Sequence, residues 1–161
     1  MALPRHRLTV FLLAGWLGIC CISPMKISQK LEYACRALTQ LAKHHDGRTV
    51  TRLEDLAQRE AISRSFLLQI LNDLRRAGLI ESCRGAAGGY LLARPAEAIS
   101  LRQVVDAVDP SLLQNSVATA GESGPAIQSV WEKLSLTLCD ALDEVTLESI
   151  CAGQSSPMFF I

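Results

Sequence analysis

The sequence predicts a mainly α-helical fold with one small β-hairpin. Apolar residues make up 49% of the 161 residues but aromatic residues only 5%, so a core can form and consists mainly of Leu, Ile, Val and Ala. Helix-favouring residues dominate and runs of β-branched residues are short, which indicates helices as the main element. Two short candidate strands flank one glycine-rich tip, GAAGG at 85–89. At this length we expect one domain, or a small domain with an appendage.

Three helices are predicted in the first part of the chain. Ser28 can cap the first, whose apolar positions bury one face. Thr51 and Glu54 form a capping-box pattern that starts a short second helix. Ser63 caps the third helix, which stops at Gly78. The positions predicted to be buried on the third helix are Phe66, Leu67, Ile70, Leu71 and Leu74.

A β-hairpin is predicted directly after these helices. Its strands are LIESCR at 79–84 and YLLAR at 90–94. Two helices joined by a short turn and followed by a β-hairpin make a winged helix-turn-helix, which is a DNA-binding unit. We therefore assign residues 25–98 to a winged helix-turn-helix DNA-binding domain. The alternative is a small helical bundle with an incidental hairpin.

A long helix is predicted beyond a polar loop at 109–125. Pro125 suits the start of this helix, and apolar residues then recur at intervals of three and four. Such a stripe needs a partner, either its own domain or a second subunit. We favour a dimer seam, because the preceding domain already has a core, and assign 99–151 to a dimerisation region and 152–161 to a C-terminal tail. The predicted dimer contacts are Ile127, Val130, Trp131, Leu134, Leu138 and Leu142.

The charges are divided unequally along the chain. Residues 25–98 hold 12 Lys/Arg and 8 Asp/Glu, whereas residues 99–161 hold 2 Lys/Arg and 8 Asp/Glu. The first part therefore carries a net charge of +4 and the second a net charge of −6, although the whole chain is neutral. A basic part joined to an acidic part indicates an anion-binding module beside a region with another role.

No catalytic set or metal site emerges from the sequence. The histidines are His6, His44 and His45, and the six cysteines form no C-x-x-C pair. The glycines at 85–89 lack the spacings of nucleotide-binding loops. We therefore expect no enzyme, no metal and no cofactor. Cys35 lies on the buried face of the first helix, so packing is its expected role, and an oxidation switch there would need a lowered thiol pKa.

The first 24 residues form a separate apolar segment after Arg5 and Arg7. The apolar run at 8–22 is short for a membrane span, and it resembles a secretory signal that lacks a clear cleavage site. Export or anchoring is one interpretation. The favoured one is a start codon assigned too early, with the true start at Met25, because the chain beyond it has the pattern of a cytosolic module. We expect a cytoplasmic protein without membrane contact.

The third helix is the predicted recognition helix, lying in the major groove. Gln69 can pair bidentately with adenine, Ser65 can bond several base edges, and Leu68 suits a thymine methyl group. Arg75 and Arg76 are expected to hold phosphates, which adds affinity but no sequence information. The contacts predicted on the face opposite the buried stripe are Arg64, Ser65, Leu68, Gln69, Asn72, Arg75 and Arg76.

The hairpin tip is the second predicted DNA contact. Arg84 at its mouth can enter a minor groove, where narrow A·T-rich stretches concentrate negative potential. Gly85, Gly88 and Gly89 would let the turn adopt positive φ and approach closely without Cβ clashes. Tyr90 completes the predicted contacts of the wing. In the alternative interpretation, Arg84 is an ordinary solvated residue beside a hairpin turn.

One segment resembles a known family. It is LNDLRRAGLIESCRGAAGGYLLARPAEAISLRQVVDAVD at 71–109, and the start MKISQKLEYACRAL and the wing pattern RG-x-x-GGY-x-L are the most specific marks. Over roughly residues 25–151 the chain resembles the Rrf2 family of bacterial winged-helix regulators. The resemblance implies a dimeric transcription factor, in most members a repressor, whose long helix crosses that of its partner. It also implies that Ser65 and Gln69 contact bases, and Leu68 stands where members often have an acid used for discrimination.

Two features narrow the resemblance. Some members carry an iron–sulfur cluster held by three cysteines in the loop before the long helix. Here that loop, 109–125, contains no Cys and no His, and thiolates hold such clusters. The segment at 124–150 and the end MFFI are similar to the cysteine-metabolism branch, whose members lack a cluster and act through a complex with cysteine synthase.

The branch implies cysteine synthase (O-acetylserine sulfhydrylase) as a partner of the C-terminal tail. The alternative for the tail is that it folds back on the dimer. Two alternatives for the whole protein also remain. One is a regulator that responds to a different, redox signal. The other is a protein-interaction module whose DNA binding is vestigial. The tail residues expected to dock are Met158, Phe159, Phe160 and Ile161.

Overall fold

Helices and one hairpin make up the computed structural model. It describes residues 26–43, 49–85, 88–114 and 119–155. Two short 3₁₀ turns lie at Ala96–Ala98 and Pro110–Leu112. The described chain is mainly helical with one two-stranded antiparallel sheet, which confirms the predicted fold class. In chain order the elements are α1 (Gln29–Lys43), α2 (Leu53–Glu60), α3 (Arg64–Arg76), β1 (Ile80–Cys83), β2 (Gly89–Leu92), α4 (Leu101–Val108), α5 (Gly124–Glu144) and α6 (Leu147–Ser155).

The start of α1 follows the sequence prediction, whereas the start of α2 does not. The Ser28 hydroxyl accepts a hydrogen bond from the Leu31 amide at 3.2 Å, so Ser28 caps α1. At α2 the N-cap position belongs to Arg52, and the capping box predicted for Thr51 and Glu54 is wrong. The backbone of Thr51 pairs instead with the hairpin, which leaves this residue outside the helix.

The turn between α2 and α3 is tight and left-handed at one residue. Ala61 has φ of 53°, a conformation that costs a residue with a Cβ about 1–2 kcal/mol. Its amide and that of Ile62 donate to the last carbonyls of α2, and Ile62 is buried. Ser63 occupies the N-cap position of α3, as predicted, but its side chain makes no capping hydrogen bond to the described helix. The turn therefore sets the angle between α2 and α3.

A single core joins the winged-helix elements to the region that follows them. The buried leucines and isoleucines of α1, α2, α3 and the hairpin form one cluster with residues from α4, α5 and α6. Each fully buried side chain of this kind contributes about 1.5–3 kcal/mol. The core therefore crosses the predicted domain boundary at 98/99. The members beyond that boundary are Ile99, Val104, Val105, Val108, Leu142 and Leu147.

The end of α5 is fixed to the start of α4. The Leu101 amide donates to the carbonyl of Val145 at 2.7 Å, and the Leu147 amide donates to the carbonyl of Ile99 at 3.0 Å. Ser100 caps α4 in a capping box with Gln103. These bonds anchor the C-terminal end of α5 to the core.

The apolar stripe of α5 divides into two parts. Leu142 is buried and Leu138 is half-buried against the core. The four members nearer the N-terminus are exposed: Ile127 by 50%, Val130 by 55%, Trp131 by 48% and Leu134 by 52%. We call these four residues the exposed stripe.

The helices of the described residues are too short or too polar to span a membrane. Residues 1–24, for which two interpretations of an apolar segment were given, and the tail residues 158–161 lie outside the described part.

Candidate nucleic-acid interface

Helix α3 has one buried face and one exposed face. Leu67, Ile70, Leu71 and Leu74 are buried, and Phe66 is partly buried against the same core. Their spacing turns the remaining side chains outward. Of the predicted contacts Asn72 is half-buried, and those that are exposed are Arg64, Ser65, Leu68, Gln69, Arg75 and Arg76.

Leu68 is an apolar side chain on this polar face. It is 40% exposed and lies between the buried Leu67 and the exposed Gln69. An exposed leucine beside an exposed glutamine gives the helix one apolar contact point and one hydrogen-bonding point. A thymine methyl group and an adenine edge, respectively, are the base features that such groups recognise in a major groove.

Contacts with α1 hold α3 in place. The Lys30 ammonium lies 2.7 Å from the Asp73 carboxylate, and Arg76 lies 3.6 Å from the other oxygen of that carboxylate. The rings of Tyr33 and Phe66 meet edge to face with centroids 5.9 Å apart. Aromatic pairs of this geometry are favourable beyond the area they bury, so α1 contacts α3 near both of its ends.

Arg64, at the start of α3, forms an ion pair with Glu54 of α2. Both side chains are largely exposed, by 66% for Arg64 and 55% for Glu54, so the pair adds little to stability. Its consequence is electrostatic. The guanidinium is held towards α2, and a carboxylate lies beside the first turn of the predicted recognition helix.

The hairpin is fixed at its base and along one strand. β1 and β2 pair in antiparallel register, with Ile80 opposite Leu92 and Cys83 opposite Gly89. Thr51 then forms an isolated bridge with Tyr90. The segment before α2 therefore acts as a third, one-residue strand, and the position of the wing depends on it.

The three glycines of the wing are needed for different structural reasons. Gly85 has φ of +114°, as predicted for the tip. Gly88 and Gly89 do not have positive φ, so that part of the prediction is wrong for them. Both are close approaches instead: a Cβ on Gly88 would lie 2.7 Å from the carbonyl oxygen of Cys83, and one on Gly89 would lie 2.4 Å from that of Thr51. At Gly88 and Gly89 another part of the backbone lies too close to leave room for a side chain.

Arg84 and Tyr90 lie at opposite sides of the tip. Arg84 follows β1 and is exposed, and Cys83 before it is exposed as well. Tyr90 is partly buried and packs against the core, so its ring also supports the wing from within. The structure thus presents an exposed cation at the mouth of a hairpin whose base is anchored in the core by the buried Ile80 and Leu92.

Cys35 is protonated at neutral pH. Burial, and to a smaller degree the charge of Glu32, raises the pKa of its thiol to about 11. A reactive thiol needs the opposite shift, because the thiolate is the nucleophile. The pKa direction therefore speaks against the hypothesis of an oxidation switch at Cys35.

A comparison with protein families decides the assignment. A family model described as "Rrf2: Iron-dependent Transcriptional regulator" matches residues 27–153. The chain belongs to the Rrf2 family. This confirms the resemblance inferred from the start of α1 and from the wing.

Individual relatives extend the comparison. The Rrf2 chain is 40% identical over 134 residues to an HTH-type transcriptional regulator of Mycobacterium tuberculosis, a match that covers 80% of this chain and 83% of that one. It is 33% identical over 141 residues to the HTH-type transcriptional regulator CymR of Bacillus subtilis, covering 85% and 100%.

Solved structures show the same likeness. The structure of B. subtilis CymR, described as the global cysteine regulator of that organism, matches with a TM-score of 0.69 at 32% identity, over 80% of this chain and 97% of that one. IscR of T. potens matches with a TM-score of 0.67 at 32% identity, over 84% and 93%. The Rrf2 relatives are transcriptional regulators and not enzymes, so this chain is a DNA-binding transcriptional regulator.

The family description names iron, and the residues present can be tested against an iron–sulfur cluster. The loop at 109–125 contains no Cys and no His. The four cysteines within the described ranges, Cys35, Cys83, Cys139 and Cys151, form no disulfide there, and within those ranges no three metal-ligating side chains come together. The donor set does not fit a cluster that needs three loop thiolates.

Sequence reasoning missed three residues of this interface. Glu54, Asp73 and Thr51 all act on residues elsewhere in the chain: on Arg64, Lys30 and Tyr90. No local pattern identifies such pairs, because each joins two elements that only folding brings together. A carboxylate in the first turn of α2 is read locally as a favourable helix start, and its contact with α3 leaves no separate signal.

Proposed function

We propose that this regulator is a homodimeric repressor that recognises DNA sequence with α3 and makes a second DNA contact with the wing. The observation that carries the proposal is the exposed face of α3, which combines Ser65, Leu68 and Gln69 with arginines at both ends of the helix. Such a face joins groups that read bases to groups that hold phosphates. A structural helix of a bundle has no need for this combination.

Each group has a separate role in the proposed complex. Gln69 pairs with an adenine edge, Ser65 bonds a neighbouring base, and Leu68 contacts a thymine methyl group. Arg64, Arg75 and Arg76 hold phosphates, and Asn72 supports them from the side of the helix. Arg84 enters the minor groove beside the site, and the tip formed by Gly85, Gly88, Gly89 and Tyr90 brings it there.

The exposed stripe of α5 supports the homodimer. Its four large apolar side chains are each about half exposed, and soluble monomers rarely leave such a patch open. A second copy of α5 is the complementary surface in a two-fold interface. Half-sites about one helical turn apart, roughly 34 Å, follow from two recognition helices in one dimer.

A role in cysteine supply is the proposed pathway. The likeness to CymR, the global cysteine regulator of B. subtilis, supports it together with the C-terminal sequence MFFI. The absence of loop thiolates supports a regulator that works without an iron–sulfur cluster. A cytoplasmic location follows from the proposed role, since bacterial regulators act on the chromosome.

The C-terminal tail is the proposed contact with cysteine synthase. Met158, Phe159, Phe160 and Ile161 are four consecutive apolar residues, and such a segment can dock as an extended peptide in a groove of a partner protein. The test is titration calorimetry of the full chain with cysteine synthase. Deleting Phe160 and Ile161 should abolish binding and leave the melting temperature unchanged. Binding that survives the deletion would refute the tail as the contact.

Protection of the DNA upstream of the protein's own gene tests DNA recognition. The wild-type chain should give a footprint of two half-sites, and affinity should fall with log salt at about −0.9 per phosphate contact. Gln69→Ala should weaken specific binding by about tenfold or more. Arg84→Ala should weaken binding and reduce the salt slope by about one. Lys133→Ala removes a cation of α5 and is the matched control.

The same measurement distinguishes the alternative of a protein-interaction module. If Gln69→Ala and Arg84→Ala together leave footprint and salt slope unchanged in a folded dimer, the proposed interface is wrong. If the wild-type chain gives no footprint but binds cysteine synthase, the interaction module is the better description.

A further inference from the structure

A partly open apolar cavity lies where the long helix meets the winged-helix elements, and one of its lining residues, Ile27, is 52% exposed. It has a volume of about 160 Å3. Its walls come from four parts of the chain: the start of α1, the helix α4, the 3₁₀ turn after α4, and the anchored end of α5. The lining residues are Ile27, Leu31, Glu32, Cys35, Leu101, Val105, Leu112 and Leu142.

The interior surface of this cavity is apolar throughout. Glu32 is the one charged residue among those that line the cavity. Its carboxylate pairs with Arg36, one turn further along α1, so the aliphatic part of its side chain lines the wall. Cys35 contributes a protonated thiol, which behaves as a small apolar group. No wall group offers the two to four polar partners that a bound water needs.

The size and the chemistry of the cavity together define the class of occupant. An engineered, enclosed apolar cavity of about 150 Å3 binds benzene, and the cavity described here has a similar volume and apolar walls but is partly open. Charged or strongly hydrogen-bonding molecules would lose their hydration without compensation in such a site. A ring of six carbon atoms satisfies both the volume and the apolar walls.

We propose that this cavity binds a small, uncharged aromatic molecule of about six heavy atoms, and that the molecule is an effector of the regulator. The site is at the junction of α1, α4 and α5. α1 is tied to the recognition helix through Lys30 and Asp73, and α5 carries the exposed stripe. An occupant therefore contacts both the DNA-binding part and the dimer helix, and any difference in its affinity for two arrangements of these parts shifts their populations.

Benzene is the probe for binding, and the full chain without DNA is the sample. Fluorobenzene observed by 19F NMR should show saturable binding of one molecule per chain, and benzene should displace it. Benzoate, which has the same ring and a charge, should not. Non-saturable partitioning, or equal displacement by benzoate, would overturn the site.

Cavity-filling substitutions locate the bound molecule. Leu112→Trp places a larger side chain in the cavity and should weaken binding by about tenfold or more. Leu113→Trp is the matched control, because the neighbouring leucine lines a different surface, beside Leu136 and Cys139. Cys35→Leu fills the same cavity from α1, and it is the variant to measure if Leu112→Trp fails to fold. Unchanged binding in a folded filling variant would refute the assignment.

The effector role rests on the proposed DNA binding and has its own readout. Saturating benzene should change the operator affinity of the wild-type chain by about threefold or more. It should leave the operator affinity of Leu112→Trp unchanged. Benzene that binds but leaves operator affinity unchanged would overturn the effector role alone. A chain that binds benzene but no DNA in any condition would count against the proposed function, not against the cavity.

Discussion

Thr51 and Tyr90 exchange two backbone hydrogen bonds across the base of the wing. The Tyr90 amide donates to the Thr51 carbonyl at 2.8 Å, and the Thr51 amide donates to the Tyr90 carbonyl at 2.9 Å. The pair links the segment before α2 to β2, so the hairpin is not a free appendage. Because Gly89 lies directly beside this bridge, the bridge tolerates no side chain at that position.

Gly89→Ala should therefore loosen the wing. The added Cβ would lie 2.4 Å from the Thr51 carbonyl oxygen, and relieving such an overlap costs about 1–3 kcal/mol. We expect a lower free energy of unfolding by denaturant and weaker operator binding. Gly153→Ala is the control, because a Cβ there meets open space within α6, where Ala is favoured over Gly by about 1 kcal/mol. Equal stability of the two variants would contradict the proposed role of the bridge.

Glu54→Gln should strengthen DNA binding. The substitution removes a negative charge beside the first turn of α3 and releases Arg64 for a phosphate. We expect affinity to rise about two- to fivefold at low salt, and less at high salt, because such effects are screened. Stability should change little, since both partners are exposed. Fluorescence anisotropy with labelled operator measures this. Glu148→Gln, an equal charge change on α6, should leave affinity almost unaltered, and an equal gain from both variants would show a net-charge effect only.

Leu134→Glu should dissociate the proposed dimer. A carboxylate within the exposed stripe would have to be buried without a partner in the dimer, which costs several kcal/mol. Sedimentation equilibrium should therefore show monomers for this variant. Leu136→Glu introduces the same group on the other side of α5, where Leu136 is 66% exposed, and should leave the dimer intact. Should Leu136→Glu dissociate the dimer and Leu134→Glu spare it, the seam would lie on the opposite face.

The free energy of unfolding should fall between about pH 9 and pH 11 because of Cys35. The folded pKa is about 11 and the unfolded value 9.0, so the unfolded chain releases this proton first. The folded state then binds more protons, and stability decreases as the pH rises. The contribution is complete below pH 9 and is lost through the folded pKa. Cys35→Ala should flatten this part of the urea-denaturation profile; an unchanged slope would place the cause elsewhere.

Local patterns predicted the helices and the hairpin well. The buried face of α3 follows from the spacing of Leu67, Ile70, Leu71 and Leu74, because helical periodicity depends on neighbouring residues alone. Ser28 caps α1 for the same local reason. Thr51 failed as a cap because a distant strand competes for its backbone, and a sequence window around Thr51 does not contain that strand.

The stripe of α5 shows where periodicity stops being informative. Apolar spacing marks Ile127 and Leu142 as members of one face. The spacing alone does not reveal that Leu142 is buried against its own chain while Ile127 is half exposed. That difference depends on where the start of α4 meets the end of α5, at the hydrogen bond from the Leu101 amide to the Val145 carbonyl.

The sequence by itself determined the order of the elements, the faces of α3, the basic character of the first part of the chain and its membership of the Rrf2 family, since each of these is written in residues close together along the chain. Only the tertiary structure decided the pairing of Glu54 with Arg64, the attachment of the wing through Thr51, the raised pKa of Cys35 and the apolar cavity beside it. The physical reason is the same for all four: each arises where elements distant in sequence approach one another, and that approach is a property of the folded chain.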